Sequence, residues 1–547
     1  MRTPLLPRTL TAGIGIALAA IAFAQAARGT RTETPRAVRP MAATTQLTTA
    51  DPVYRASATS PFTAGCDGVP ADGTLYVNSE VEPYVAVDPT NANHVVAVWQ
   101  QDRWSSGGAR GLMSATSNDG GKTWQRTPLP FSRCAGGNAT IGGNYARTSD
   151  PWVSIGPSGI VHTISISFEG NNSAVLASRS LDGGQSWSRP STLILDGASF
   201  FNDKEAITAD PKDANYVYAV WDRLPSGGGG PAMFARSING GQSWQLAKKI
   251  YDPGVASQTI GNEIVVLPSG VLVDLFTQLN PDGSAEARVV RSSDKGTTWS
   301  ASFKVADLLP VGAVDPENGT GVRDGAALPQ AAVGPYGGIY VVWADGRFSG
   351  GVRDGIALSR SGNGGQTWTA PVQINGDPNA EAFEPSVHVR SDGTVSVSYF
   401  DFRNNTTAAT LPTIVWLARS RDAITWHEAA VAGPFDLAAA PNAGGLFVGD
   451  YQGLSSMGNV FEPFFVRSNG SNTANRTDAF SAPAVSFAAM VETLRRAIGI
   501  TAREAAPYTM TPAFRQRVAA TLAKVVERRE VQWRDAIRRR EGKPPQR

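Results

Sequence analysis

Carboxylates and guanidinium groups recur together along this chain at two kinds of place. One series closes short apolar segments: Asp102-Arg103, Asp222-Arg223, Asp345-Gly346-Arg347 and Asp401-Phe402-Arg403. The other opens them: Glu82, Asp150, Glu205, Glu263, Glu384 and, late in the chain, Asp450 beside Tyr451. Gathered around one axis, these groups make a funnel suited to a polar or charged ligand such as a sugar acid, because planar guanidinium forks match carboxylates. Such Asp-Arg pairs serve equally well as ion pairs between repeated units, and residue types alone do not separate the two uses. The carboxylates also offer the hard oxygen ligands of a structural Ca²⁺, although neither of the other uses requires a cofactor. Two cysteines and four scattered histidines (His94, His162, His388, His427) leave no zinc or iron site.

The elements that position these groups are written in a repeat. Ser117 to Trp124 (SNDGGKTW) returns as Ser180 to Trp187 (SLDGGQSW), Ser237 to Trp244 (SINGGQSW), Ser292 to Trp299 (SSDKGTTW) and Ser361 to Trp368 (SGNGGQTW). A worn copy, Ser420 to Trp426 (SRDAITW), lacks the second glycine. A period of roughly sixty residues means one supersecondary unit copied along the chain. In each copy the glycines allow a turn with positive φ, and Asp or Asn can bond the turn backbone. The Trp then opens the next strand with a large apolar face. Between boxes run short β-branched segments such as Glu82 to Asp88, His94 to Gln100 and Gly111 to Thr116, which read as strands.

This pattern resembles the Asp box, or BNR repeat, of the sialidase (neuraminidase) superfamily of β-propellers, from about residue 80 to 467. The resemblance implies an all-β fold, a β-propeller of four-stranded antiparallel blades. Seven blades are expected, with six the alternative. The last has no Asp box and is expected to be completed from the N-terminal side by Thr74 to Asn78. In that family the boxes lie on the rim away from the active site, so the acidic and basic series belong to the opposite rim. Sialidases use a Tyr nucleophile activated by Glu, an Asp acid/base and three Arg that clamp the substrate carboxylate. The resemblance therefore implies Tyr451, Glu263 and Asp102 as catalytic residues. Arg103, Arg223, Arg347 and Arg403, with Glu82, Glu384 and Asp450, are implied to bind substrate. The implied activity is an exo-α-sialidase-like glycoside hydrolase acting on terminal acidic sugars of a glycan or glycoconjugate. The alternative is a non-catalytic propeller binding glycan or protein partners at a cell surface. Two departures stand out: Val81-Glu82-Pro83 replaces the family's Arg-Ile-Pro, and no Arg follows Glu263 in Val273 to Gln278.

The ends of the chain read differently. Arg2 and Arg8 precede an apolar run from Leu10 to Ala24 and an Ala24-Gln25-Ala26 cleavage pattern, which makes residues 1–26 a secretory signal peptide. Residues 27–60 read as a flexible leader, 61–483 as the propeller and 484–547 as a helical basic extension. Cys66 and Cys134 bracket the first repeat, and an exported chain would join them as a disulfide. The expected location is secreted or periplasmic, with no transmembrane span after cleavage. A net charge of +2 argues against a nucleic-acid partner. Phe514, Val518, Leu522, Val526, Trp533 and Ile537 share one helical face after Thr511-Pro512. Eleven Lys or Arg against four Asp or Glu from Pro512 to Arg547 suit a docked amphipathic helix with a basic outer face. Arg538 to Arg540 would also suit contact with an anionic surface.

Overall fold

The computed structural model describes residues 52–68, 73–226, 229–483, 500–505, 508 and 510–540, the last eleven of these by backbone alone. The expected signal peptide, most of the leader and residues 484–499 lie outside the described residues.

Short strands dominate because each apolar segment ends at a turn-forming box. Within the first box Ser117 Oγ donates to Asp119 Oδ1 at 2.8 Å and accepts the Gly121 amide at 2.9 Å. Asp119 Oδ1 also accepts the Thr123 amide at 2.9 Å, and Gly120 and Gly121 take φ of 71° and 79°. In the worn copy Ala423 takes the turn conformation at φ 57°, and its amide donates to Ser420 Oγ at 2.8 Å. The boxes also join successive units. Arg179 donates to Gly240 O at 2.9 Å, Arg236 to Thr297 Oγ1 at 3.0 Å and Arg360 to Asp422 O at 2.9 Å, each reaching the next box along the chain. Trp187 Nε1 bonds Ser114 Oγ of the preceding unit at 3.0 Å.

Among the described residues the strands fall into consecutive antiparallel groups, a propeller-like arrangement. Runs of four consecutive strands start at Leu75–Asp88, Arg147–Ile155, Phe200–Ala209, Gln258–Val266, Gln330–Val333 and Ala382–Val389. The first two runs are joined, and Arg503–Glu504 and Ile500–Thr501 add a fifth strand to the last two. A last group comprises Gly453–Met457, Val460–Ser468 and Thr477–Ser481, to which the N-terminal strand Tyr54–Arg55 adds antiparallel. The expected closing strand, Thr74 to Asn78, is corrected here. Leu75 and Tyr76 pair with Trp104 and Arg103 inside the first group, and Ser79 touches the last group at Thr477. Within the stretch read as leader, Ala56 and Ser57 are buried. The Cys66–Cys134 disulfide is formed.

The first strand of five groups breaks register at a bulge: Val81/Tyr84, Ser149/Trp152, Asp203/Ala206, Ile260/Glu263 and Phe383/Ser386. Each bulge holds one residue at positive φ, namely Glu82, Asp150, Lys204, Gly261 and Glu384. Bulges re-aim side chains, and these four side chains are all buried.

Among the described residues one α-helix, α1 (Pro512–Arg540), follows the sheets. Thr511 caps it, its Oγ1 accepting the Phe514 amide at 3.1 Å, and Pro512 occupies the first turn. Phe514, Val518, Leu522 and Val525 are buried against Ile260, Leu309, Val311, Ala326 and Ala327. Burial of each is worth about 2 kcal/mol, which explains why an exposed-looking basic tail docks at all. The buried position on the next turn is Val525, with Val526 half-buried.

Candidate functional site

The bulges bring a compact ionic cluster together. Lys204 Nζ lies 3.1 Å from Glu82 Oε1, 3.1 Å from Asp150 Oδ1 and 2.7 Å from Asp450 Oδ2. Arg323, from the loop before the fifth group, donates Nε to Asp450 Oδ1 at 2.7 Å, and its Nη2 pairs with Asp450 Oδ2. Gln100 donates to Glu82 Oε2 and to Ser149 Oγ. All five charged groups are buried, so each shifts the others strongly. Burial, and then the neighbouring Asp150 charge, push Glu82 well up despite Lys204. Burial alone would also raise Asp150, but the Lys204 ammonium and a bond from Glu82 hold it below its ordinary value. Asp450 is likewise held well down against burial by Arg323 and Lys204. Lys204 is raised by its three carboxylates against burial.

Of the residues expected to act, the structure gathers Glu82, Asp450, Tyr451 and Arg103 near this cluster. The Tyr451 ring lies 5.6 Å from Lys204 Nζ and meets Trp152 edge-on at 5.3 Å. Its hydroxyl donates to Pro151 O at 3.0 Å, and burial followed by the Glu82 charge raises its pKa well. Arg103 donates to Gln100 Oε1 at 2.6 Å and stacks on Phe447, whose ring also receives Arg323 at 4.2 Å. Arg103 Nε and Nη2 have no hydrogen-bond partner among the described residues. Burial and then Arg323 lower Arg103 to about 10. Glu384 is buried with both oxygens unpartnered, as is Glu205, and burial raises both well.

The remaining expected residues make other contacts. No hydrogen bond joins Glu263 to Tyr451. Glu263 Oε2 instead accepts the Ala331 amide at 3.0 Å, and burial raises it to about 8. Asp102 anchors the N-terminal segment, accepting Ser60 Oγ at 2.8 Å and the Asn78 amide at 2.8 Å. Arg223 is committed to Asp196 through bonds of 2.9 and 2.6 Å. Arg347 is forked onto Asp345 at 2.8 and 2.7 Å, and Arg403 pairs with Asp401 and Glu428. Arg347 and Arg403 therefore serve ion pairs within their own groups, and Arg223 ties the third group to the second. Nor do the carboxylates await calcium, since Lys204 and Arg323 occupy the positions between Glu82, Asp150 and Asp450. Among the described residues no group of three or more His, Cys, Asp or Glu is arranged to hold a metal.

Sequence reasoning missed Lys204, Arg323 and Arg529. Lys204 was legible: Glu82-Pro83, Asp150-Pro151 and Glu384-Pro385 mark the bulge, and Lys204-Glu205 stands in the same register. Reading Glu205 as the equivalent acid put the register off by one. Arg323 lies in a loop outside the repeat, and Arg529 on α1, where no periodicity points at the cluster.

Helix α1 passes over this cluster. Arg529 Nε donates to Asp203 Oδ2 at 2.7 Å, and its Nη2 lies 3.4 Å from Asp222 Oδ2, an ion pair without hydrogen-bond geometry. A cavity of about 30 Å³ remains between Val525, Arg528 and Arg529 on the helix and Asp150, Lys204 and Asp450 below.

No family model matches the chain, and no curated protein matches it. Solved structures similar to it include a Hadza microbial sialidase, at 14% identity and TM-score 0.41 over 71% of this chain and 73% of that one. An α-L-arabinanase of Penicillium chrysogenum complexed with arabinobiose has 14% identity and TM-score 0.42 over 64% and 94%. A Trypanosoma rangeli sialidase in complex with sialic acid has 11% identity and TM-score 0.40 over 69% and 57%. At such identities no residue role passes from those proteins to this chain.

Proposed function

We propose that this chain is a secreted glycoside hydrolase of sialidase-like propeller architecture that acts on glycans. Its reaction centre in this reading is the Glu82–Asp150–Asp450 cluster around Lys204, not a Tyr451–Glu263 pair. The observation that carries it is geometric: Glu82 and Asp150, both buried, lie 3.1 Å from one ammonium, a setting that raises Glu82 and holds Asp150 down. Two carboxyl groups driven apart in this way supply the acid and the ionised partner of glycosidic cleavage. The strand groups form seven blades in the same reading, with residues 61–483 as the propeller and 484–547 as its extension. Export is supported by the disulfide.

Acidic-sugar specificity has narrower support. It rests on Arg103, with two unpartnered donors, and Arg323 beside it, because Arg223, Arg347 and Arg403 are consumed elsewhere. The test is turnover by the full chain on aryl glycosides of sialic acid, arabinose and N-acetylglucosamine. Release from any of them, abolished by Glu82→Gln and unaffected by Glu263→Gln, supports the reading. A folded chain that releases nothing yet retains a glycan on an array supports the second reading, a non-catalytic binding propeller. The observation favouring that second reading is the full commitment of Asp450 to Lys204 and Arg323.

A further inference from the structure

Helix α1 crosses the cluster in two unlike halves. The first is anchored by Phe514, Val518, Leu522 and Val525 in an apolar seat. The next turn instead lays Arg528 and Arg529 over carboxylates. Arg529 enters a cradle: Asp203 at 2.7 Å, Asp222 at 3.4 Å, Thr259 O at 2.9 Å and Gln258 Oε1 at 3.2 Å. Two carboxylates and two neutral oxygens disposed around one planar fork form a guanidinium receptor. Arg528 has the opposite experience, since burial and then the like charge of Arg323 lower its pKa. The helix thus covers the cluster with one matched cation and one opposed one, over a gap with room for about one water. Without these two arginines the pocket lining carries Asp150, Asp203 and Asp450 against Lys204 and Arg323, an excess of acid, with Asp222 adjoining at the Arg529 cradle.

We propose that α1 is a displaceable cover, and that the pocket beneath its second half receives a guanidinium or primary ammonium group of a ligand in place of Arg529. The inference goes beyond the hydrolase reading and is tested without turnover. A ligand that competes with Arg529 binds only the uncovered state, so its apparent affinity is reduced by the covered fraction. Removing the internal competitor restores that affinity.

The experiment is calorimetric titration of the full chain and its Arg529→Ala variant at low salt. L-arginine amide and D-glucosamine present the cation from two sources, an amino-acid side chain and a sugar. N-acetyl-D-glucosamine and N-acetylneuraminic acid are the neutral and anionic counterparts. The variant is expected to bind one of the two cations at least tenfold more tightly than the unaltered chain does, and neither counterpart. A lock provides the second arm. A Cβ at Gly312 would lie 3.9 Å from Thr521 Cβ, within disulfide spacing, so Gly312→Cys with Thr521→Cys pins α1 to the loop beneath it, with the new side chain strained at φ 80° in both redox states of the lock. Because α1 is continuous, pinning residue 521 also holds Arg529. The oxidised lock is expected to bind the cation at least tenfold more weakly than the same chain reduced, with the unaltered chain in the same reductant as control. Equal cation affinity in Arg529→Ala and the unaltered chain, no effect of the lock, or preference for the neutral or anionic sugar overturns the proposal. Should Arg529→Ala fail to fold, the lock alone decides.

Discussion

Lys204 Nζ and Asp450 Oδ2 lie 2.7 Å apart although 246 positions separate them in the chain. The bond ties the third strand group to the segment before the last one, and the same nitrogen holds Glu82 of the first group and Asp150 of the second. Removing one partner of a buried ionic group leaves uncompensated charge, which typically costs about 3–5 kcal/mol. Lys204→Met should therefore lower stability by about that amount in chemical denaturation, with three carboxylates left facing one another. A loss below about 1 kcal/mol would show that water or Arg323 already screens them.

If Glu82 is the proton donor in glycan cleavage, Glu82→Gln should lower kcat by about 10²–10⁴-fold, the usual worth of a general acid. Glu263→Gln should leave kcat within about twofold, because that carboxyl is bonded to the Ala331 amide and not to the cluster. Initial rates on whichever glycoside the chain cleaves provide the check. The opposite ranking restores Glu263 and removes Glu82 from the reaction.

The architecture was legible in the sequence because turn chemistry is local. Ser117, Asp119 and Gly121 bond one another within five residues, so the letters alone prescribe the turn. The rim was half legible for the same reason in reverse. Asp345 and Arg347 were visible as a pair, but whether such a pair faces a ligand or itself depends on side-chain direction. The structure closes that fork on itself. The decisive partners of the cluster come from distant segments, Arg323 and Arg529, and a local pattern carries no information about which distant loop will cover a site. The departures at Glu82 and in Val273 to Gln278 were visible in the sequence, whereas the pairing of Arg223, Arg347 and Arg403 with Asp196, Asp345 and Asp401 needed the structure.

Buried carboxyl groups with raised pKa values give stability a pH dependence. Burial raises Asp222 to about 7 and Glu263, Glu428 and Glu462 to about 8. In each the folded value exceeds the unfolded one, so the folded state binds the extra proton between them. Their contribution is fully present below the unfolded values and is lost as pH rises through about 7 to 8. Thermal unfolding should accordingly show a higher Tm at about pH 6.5 than at about pH 9, a range in which the buried neutral His162 and His388, lowered to about 3 and about 4, do not titrate. Glu263→Gln and Glu462→Gln should flatten that slope, each keeping the hydrogen-bonding shape without the ionisation. A Tm that climbs from acid to alkaline pH contradicts the sign.

The worn box offers the cleanest stability test, because it differs from the other copies by one missing glycine. Ala423 sits at φ 57°, where a Cβ costs about 1–2 kcal/mol, while glycine would lose about 0.5–1 kcal/mol in chain entropy. The difference favours Ala423→Gly by about 0.5–1 kcal/mol, provided the Ser420 Oγ bond to the residue 423 amide is kept. Against this stands the methyl group itself, which is buried in an apolar cluster with Val387, Val397 and Trp426 and whose loss costs about 0.8 kcal/mol. The two nearly cancel, so the expected change in unfolding free energy lies within about 0.5 kcal/mol of zero. Ala423→Val separates the causes. It keeps the apolar contact but adds β-branching where φ is positive, and should destabilise by more than about 1 kcal/mol in urea unfolding. If Val is tolerated as well as Gly, the turn at Ser420 is not held in the conformation that the other boxes share.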